Sequence, residues 1–392
     1  MKIIHTSDWH IGKKLNGRSR ISEQTDILNE ITDIADAEKA ELVLVAGDVF
    51  DTSVPSAEAE ELFFKTVMRL AKQDRAVVII SGNHDDWQRL SACRDFAALS
   101  NVYIFGGGDK PPAGNIKNAV FAEKTGKYHC VINSKTSGER VYLGLLPYPC
   151  ERRGEVFEGD DFESKTASRI NACFEDNAEN LPVIFAAHIF MLGGTCGESE
   201  RAIELGGTRL VDKKLIPDFC AYSALGHLHK RQVIDGARNI VYSGAIAGYA
   251  FDEANVEKSV TAFDFSGGKV ENIKIIPIKS GKKLVNLVAA SVEDGKKLLC
   301  DYSDCLVKLT LKLPHALSEK ETKELAGDYP ALVELNLQIA NGENVEKTAD
   351  RRKLSEKEAF EEYHKSKFGA APSEELMALY LELMEGKDLC DR

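Results

Sequence analysis

The sequence predicts an α/β protein, because one pattern of strand and polar residues recurs along the chain. In the clearest case, the apolar run 42–46 is typical of a strand buried on both faces, and it ends at Gly47 and Asp48. Four further apolar runs are also followed by acidic, amide or imidazole side chains: 2–5, 77–80, 182–185 and 222–225. Open α/β sheets build their sites beyond the carboxyl ends of their strands. A single aspartate just after a strand is typical of a turn. Five strands that are each followed by such polar side chains indicate one functional site.

The predicted strands alternate along the chain with segments of helical periodicity, as a βαβ architecture requires. Apolar residues at helical spacing predict helices over 21–40, 55–72, 87–99 and about 164–178. Further strands are predicted at 102–105, 128–133, 140–146, 222–226, 239–243, 259–265 and 269–277. The runs 128–133 and 140–146 are predicted to be antiparallel, and Pro55 is placed in the first turn of its helix.

Glycine and lysine interrupt the pattern at 279–283, so we predict a large domain over residues 1–280. Residues 281–342 alternate strand and helix and predict a small α/β capping domain. Its predicted elements are a strand at 284–290, a helix at 293–300, a strand at 305–311, a helix at 318–327 and a strand at 332–339. Residues 343–392 are predicted to be a linker and a pair of helices, with a capping box at 355–358. This pair either folds back on the body or docks on a partner, and we favour docking because so short a pair has little core of its own.

Composition limits the class of protein. The 392 residues carry a formal charge of −12 and no apolar run near the ~20 residues of a membrane helix. A strand from residue 2 argues against a signal peptide, and nine scattered cysteines without a Cys-x-x-Cys pair predict reduced thiols in the cytoplasm. The acidic charge argues against binding nucleic acid by bulk electrostatics. It does not exclude a phosphodiester substrate, because divalent cations or a partner can supply the positive charge.

The polar residues at the strand ends have the chemistry of a metal site. Five of the nine histidines lie there with two aspartates, an asparagine and a further aspartate; the set is His10, His84, His188, His227, His229, Asp8, Asp48, Asn83 and Asp85. Mixed nitrogen and oxygen donors without thiolate suit Mn²⁺, Fe²⁺ or Zn²⁺ better than Ca²⁺. The two carboxylate oxygens of Asp48 can hold two cations at once. Two cations about 3.5–4 Å apart can clamp a phosphoryl group.

These residues occur in five motifs whose order resembles that of the calcineurin-like metallophosphoesterases. The motifs are Asp8-x-His10, Gly47-Asp48-x-x-Asp51, Gly82-Asn83-His84-Asp85, His188 and Gly226-His227-x-His229. The resemblance implies a four-layer αββα sandwich and two divalent metal ions, with Mn²⁺ as the expected ion. It implies one metal held by Asp8, His10, Asp48 and His229, and a second held by Asp48, Asn83, His188 and His227. It assigns His84 a catalytic role, steadying the transition state or protonating the leaving oxygen, with Asp85 orienting its ring.

The residues in and around the motifs are also similar to those of bacterial nuclease subunits within this family, notably at 5–10, 46–52, 199–201, 226–229 and 242–253. The resemblance implies a metal-dependent DNA nuclease that is a double-strand exonuclease and a single-strand or hairpin endonuclease, in repair and recombination. It implies an ATPase partner with a long coiled coil, bound by residues 350–392. It also implies a homodimer, for which helices 55–72 and 88–99 are the candidate surface.

Two other functions remain open from the residues. The same metals would serve a small-molecule phosphodiesterase or phosphatase, although the appended domain and terminal helices argue against one. A metal-binding scaffold without catalysis is the second alternative, against which Asn83, His84 and Asp85 argue.

Several residues outside the ligand set have simpler interpretations. Packing in the core is expected for His5, His129, His315 and His364, and Asp51 is expected to be a structural residue that supports the ligands from behind, or a turn residue. Packing is also favoured over base stacking for Trp9 and Trp87, and Cys196 has no assigned role.

Overall fold

The computed structural model describes residues 1–149, 161–197 and 210–339, with scattered positions between 360 and 380. The strands are β1 (Lys2–Thr6), β2 (Leu42–Ala46), β3 (Ala76–Ile80), β4 (Val102–Phe105), β5 (Val120–Thr125), β6 (His129–Ser134), β7 (Arg140–Leu146), β8 (Val183–His188), β9 (Phe190–Met191), β10 (Leu210–Val211), β11 (Cys220–Gly226), β12 (Gln232–Asp235), β13 (Ile240–Tyr242), β14 (Ser259–Ser266), β15 (Lys269–Pro277), β16 (Leu284–Ala289), β17 (Leu306–Leu313) and β18 (Leu332–Ile339). The helices are α1 (Ile21–Ala37), α2 (Ala57–Leu70), α3 (Trp87–Ser91), α4 (Arg94–Leu99), α5 (Phe162–Ala172), α6 (Val292–Asp301) and α7 (Glu319–Asp328).

Two large sheets form the centre of the fold. The first has the strand order β15-β14-β1-β2-β3-β4, in which β1 to β4 are parallel and β14 and β15 are antiparallel. The second has the order β12-β13-β11-β8-β7-β6-β5, and its parallel strands are β7, β8, β11 and β13. Parallel strands align their carboxyl ends, so each sheet delivers several loops to one edge.

The two faces of β2 show how the layers stack. Leu42 and Leu44 pack in the core between the sheets, where Ile184 of the second sheet also lies, because successive side chains of a strand point to opposite faces. Val43 and Val45 face the other way, into a core shared with α1 and α2. On the far side of the second sheet, α5 buries Ile170 and Thr166. The predicted αββα sandwich is thus confirmed.

Local signals set the helix bounds. The Ser56 hydroxyl accepts a hydrogen bond from the Ala59 backbone and caps α2, so Pro55 precedes the cap instead of lying in the first turn. The helix predicted over 87–99 is two short helices, because Cys93 leaves the helical region between α3 and α4. Strands β5, β9, β10 and β12 were not predicted; β9 and β10 span two residues each, and β12 is only half-buried.

The elements predicted over 284–339 are all present, and β16, β17 and β18 form a separate three-stranded sheet. Leu284 and Leu306 of this sheet cluster with Leu15 and Phe251, which anchors it beside the loop that follows β1. The chain divides into two compact units, 1–311 with 318–336, and 312–317 with 337–392. The domain boundaries at 280 and 342 stay predictions.

In the second unit the rings of Phe360 and Tyr380 stack with centroids 4.0 Å apart. The predicted capping box at 355–358 lies outside the described residues. Within the part of the chain that is described, no helix is long and apolar enough to cross a membrane.

Candidate metal centre

The loops after five strands carry the predicted site residues to one end of the two sheets. The backbone N–H groups of Asp8 and His10 donate to the carbonyl oxygens of Gly47 and Asp48, at 3.0 and 2.9 Å, which continues the β1–β2 pairing beyond the strands. The second sheet contributes His188 at the end of β8, and His227 and His229 just after β11. Residues far apart in sequence are thereby brought together.

Asp48 lies between two groups of histidines. Its Oδ2 atom is 3.3 Å from Nε2 of His188 and 3.6 Å from Nε2 of His10. Nε2 of His10 is in turn 3.0 Å from Nε2 of His229. On the other side, Oδ1 of Asn83 is 2.9 Å from both Nε2 of His188 and Nδ1 of His227. This is the arrangement expected of a carboxylate that bridges two cations.

Three overlapping groups of donors lie within 4.8 Å of one another in the described chain: Asp8, His10 and His229; Asp8, Asp48 and His188; and His10, Asp48 and His84. The first group is part of one predicted ligand set, whereas the second combines Asp8 of that set with His188 of the other and the shared Asp48. The third includes His84, so distances alone leave open whether that ring is a ligand or a catalytic group.

The donor set fits divalent cations. Asp8 and Asp48 are buried carboxylates that face each other, and burial together with the charge of Asp48 raises the pKa of Asp8. Burial disfavours a charged His188 ring, but the neighbouring Asp48 outweighs this and raises its pKa to about 9. Buried carboxylates need a compensating positive charge. In the metal-free protein, His188 supplies part of that charge.

Hydrogen bonds to backbone carbonyls fix two of the imidazole rings. Nδ1 of His188 is 2.8 Å from the Ala46 oxygen, and Nδ1 of His84 is 2.7 Å from the Asp51 oxygen. A carbonyl only accepts, so Nδ1 donates and carries the proton in both rings. When either ring is neutral, its Nε2 atom therefore has its lone pair free for the site.

Asp85 holds the loops together. Its carboxylate accepts hydrogen bonds from the backbone N–H groups of Gly82, Val49 and Phe50, at 2.8, 3.1 and 2.9 Å. Burial, and then the charge of Asp48, raise its pKa to about 6. These hydrogen bonds tie the loop after β3 to the loop after β2, and the role of Asp85 in orienting the His84 ring stays a prediction.

Close packing explains the glycines of the motifs. A Cβ atom on Gly226 would lie 1.9 Å from the Ala46 oxygen, and one on Gly82 would lie 2.0 Å from Oδ1 of Asp48. Gly47 has a φ of +92° and is similarly close to the His188 ring. Four site residues also have positive φ: Asp8, His10, Asp48 and His227. Such backbone strain clusters at functional sites, where the surrounding structure enforces it.

Three residues at the site had no assigned role in the sequence analysis. Glu253 lies with Oε1 3.5 Å from Nδ1 of His229, and Lys258 pairs with the same carboxylate. Burial opposes the charge of Glu253, but His229 and Lys258 outweigh it and lower its pKa to about 2. The Tyr249 ring packs edge-on against His10 and His229, with centroids 5.2 and 5.7 Å away. The similarity of 242–253 to bacterial nuclease subunits had marked the segment that contains Tyr249 and Glu253, without giving either residue a role.

The residues expected to be structural mostly are. His5 is fully buried, with Nδ1 3.1 Å from the Tyr222 hydroxyl, and His129 is buried and stacks on Tyr142. Trp9 is fully buried and donates to the Thr6 hydroxyl. The prediction for His315 was wrong: it lies in an exposed turn after β17, because no apolar layer covers that position.

Two other side chains discussed in the sequence analysis are only partly buried. Trp87 is half-buried beside a cavity of about 300 Å³, and Cys196 is half-buried as well. Asp51 does more than shape a turn, since its carboxylate lies 2.7 Å from Nζ of Lys13 and 3.6 Å from Nδ1 of His10.

Comparisons with known proteins agree with this geometry. Residues 1–231 match the family model of the calcineurin-like phosphoesterases. The chain is 32% identical to the SbcD subunit of the nuclease SbcCD from Bacillus subtilis, over 98% of each chain. It is 32% identical to the subunit of the same name from Rhodobacter capsulatus, over 68% of this chain and 67% of the relative. For Escherichia coli K12 the identity is 27%, over 70% and 67%. The chain therefore belongs to the calcineurin-like phosphoesterases and, within them, to the family of SbcD nuclease subunits.

Proposed function

We propose that this chain is the catalytic subunit of a DNA nuclease that uses two Mn²⁺ ions to hydrolyse phosphodiesters. The observation that carries the proposal is the meeting of nine chemically suited side chains from five strand ends in one largely buried cluster. Family membership supports it, since a relative that aligns with 98% of the chain is named a nuclease subunit.

In this proposal two sets of donors share Asp48: Asp8, His10 and His229 on one side, and Asn83, His188 and His227 on the other. Divalent cations bound there would supply Lewis acidity, polarising the phosphoryl group and activating water. The chain itself fixes the donors: the carbonyls of Ala46 and Asp51 hold ring nitrogens, and Asp85 ties the loops together.

His84 is the proposed catalytic group. Its ring lies edge-on to His10 with centroids 4.7 Å apart, and it is only half-buried, so Nε2 can reach a bound substrate. With Nδ1 held by the Asp51 carbonyl, Nε2 is the atom that, in the doubly protonated ring, would stabilise the phosphoryl oxygens or transfer its proton to the leaving oxygen. Asp85 acts on this ring through the loop that it anchors.

The finer activities follow from the family resemblance. The chain would act as a double-strand exonuclease and a single-strand or hairpin endonuclease in DNA repair and recombination, in the cytoplasm. An SbcC-type ATPase with a coiled coil would bind residues 350–392. The relatives' name, as one subunit of the nuclease SbcCD, supports a partner. The formal charge of −12 fits a division of labour in which the partner supplies much of the DNA affinity.

We further propose a homodimer through α2 and the α3–α4 segment. Four large apolar side chains on these helices are between 45 and 80% exposed: Phe64, Met68, Phe96 and Leu99. Exposed apolar side chains grouped on neighbouring elements mark interaction surfaces.

Cleavage of an end-labelled DNA duplex with added Mn²⁺, comparing wild type with His84→Gln, tests the function. We expect the variant to lose about 10²- to 10⁴-fold in rate while its metal content stays equal to that of wild type. A wild type that binds metal, leaves duplex DNA intact with and without the ATPase, and still hydrolyses a nitrophenyl phosphodiester would favour a small-molecule phosphodiesterase instead. A wild type that hydrolyses neither substrate would favour the non-catalytic scaffold.

A further inference from the structure

The buried carboxylate of Glu253 lies directly behind His229. The two side chains are only 6 and 5% exposed, and Oε1 of Glu253 is 3.5 Å from Nδ1 of His229. The same oxygen accepts a hydrogen bond from the Tyr249 backbone at 3.1 Å, which fixes the carboxylate against the segment that follows β13. Glu253 is therefore held in place before any ligand binds.

Lys258 closes this arrangement on the other side. Its Nζ atom donates to Oε2 of Glu253 and, at 3.0 Å, to the backbone oxygen of His229. The ring of His229 and its main chain are thus tied to the same ion pair. An ion pair this buried persists only when further hydrogen bonds satisfy it, and the Tyr249 and His229 contacts do so.

The geometry determines which nitrogen of His229 faces the metal site. Oε1 of Glu253, paired with Lys258 through its other oxygen, has only lone pairs to present 3.5 Å from Nδ1, so this contact favours the His229 tautomer with the proton on Nδ1. The other nitrogen, Nε2, lies 3.0 Å from Nε2 of His10, within the donor group of Asp8, His10 and His229. Its lone pair is directed into the site.

His229 differs in this respect from two other rings of the site. The Nδ1 atoms of His188 and His84 face neutral backbone carbonyls, whereas that of His229 faces a charged carboxylate. A carboxylate in this position both fixes the ring orientation and makes the metal-facing nitrogen a stronger donor.

We propose that Glu253, supported by Lys258, is a positioning residue of the metal site, which holds His229 with Nδ1 protonated and Nε2 presented to the cation. This rests on the proposed metal-dependent function. A cavity of about 560 Å³ is lined by Glu253, Glu257 and Lys258 but by none of the nine predicted site residues. Small molecules can therefore reach Glu253 without crossing the metal centre.

The first experiment titrates metal-free protein with Mn²⁺ by calorimetry, comparing wild type, Glu253→Gln and Glu257→Gln. Glu257 is the matched control, because it lines the same cavity but is exposed. We expect one of the two sites to bind about 10- to 100-fold more weakly in Glu253→Gln and to be unchanged in Glu257→Gln.

The second experiment separates positioning from packing. In metal-free protein, ¹⁵N spectra of the histidine side chains should show the Nδ1–H form of His229 in wild type and a mixture of tautomers in Glu253→Ala. Added formate, entering the cavity, should restore both the Nδ1–H signal and the Mn²⁺ affinity of Glu253→Ala. If that variant does not fold, Glu253→Gln in the first experiment decides.

Equal Mn²⁺ affinity of Glu253→Gln and wild type would overturn the inference and leave the proposed nuclease intact. The inference would also be overturned if Glu253→Ala kept the Nδ1–H form of His229, or if formate did not restore the Mn²⁺ affinity that this variant had lost. A wild type that binds no Mn²⁺ would remove the proposed function, and this inference with it.

Discussion

Replacing Gly226 by alanine would put a methyl group 1.9 Å from the backbone oxygen of Ala46 and 2.9 Å from Nδ1 of His188. Ordinary van der Waals contact begins near 3.4 Å. The two backbones must therefore separate by about 1.5 Å, the difference between 3.4 and 1.9, where β2 of one sheet meets β11 of the other. The hydrogen bond from His188 to Ala46 spans the same point.

The cost follows from these two effects. Overpacking of a closed interior costs about 1–3 kcal/mol, and the loss of one buried hydrogen bond adds about 1 kcal/mol. We expect Gly226→Ala to lower the free energy of unfolding of metal-free protein by about 2–4 kcal/mol. Because His188 and His227 flank the strained point, Mn²⁺ affinity should fall as well.

Urea denaturation of metal-free protein measures the first effect, and Mn²⁺ titration the second. Gly236→Ala is the matched control, since its Cβ would meet only the Val233 side chain at 3.9 Å, and its stability should change by less than about 0.5 kcal/mol. If Gly226→Ala unfolds at the same urea concentration as wild type and binds Mn²⁺ equally well, close approach of the two sheets is not what requires glycine there.

Three further predictions concern other parts of the molecule. Burial lowers the pKa of the His5 ring to about 3, so the ring takes up a proton less readily in the folded protein than in the unfolded chain. The stability that depends on a neutral His5 is therefore fully present above pH 6.5 and is lost as the pH falls towards 3. Between pH 6.5 and 5, protonation of His5 should cost wild type about 2 kcal/mol of its free energy of unfolding, and His5→Phe should not show this part of the loss in urea denaturation. If the free energy of unfolding falls with pH equally in the variant and wild type, burial of His5 is not its cause. Phe96→Glu with Leu99→Glu should convert a dimer to a monomer in analytical ultracentrifugation with no loss of thermal stability, and a dimer that persists would place the interface elsewhere. Deleting residues 350–392 should abolish binding of the ATPase partner in pull-down experiments yet leave basal Mn²⁺-dependent cleavage, whereas loss of folding would show that the segment belongs to the core.

The sequence by itself determined the class of fold and the candidate ligands. The apolar run of β2 and the helical spacing along α1 are local patterns. Each can be recognised from its own short segment, without knowing which other segments pack against it. Polar residues directly after apolar runs marked the strand ends, and so Asp48 and His188 were selected as candidate ligands although their strands belong to different sheets.

The tertiary structure alone decided what surrounds those residues. The clash that excludes a side chain at Gly226 comes from Ala46, and the carboxylate behind His229 comes from Glu253, to which the sequence analysis assigned no role. The tautomers of His84 and His188 depend on backbone oxygens across the site. Such contacts join positions far apart in the chain, and a local pattern carries no signal of its distant partners. Residue types at the strand ends and the family resemblance therefore named the candidate donors, and only the tertiary contacts fixed their orientation.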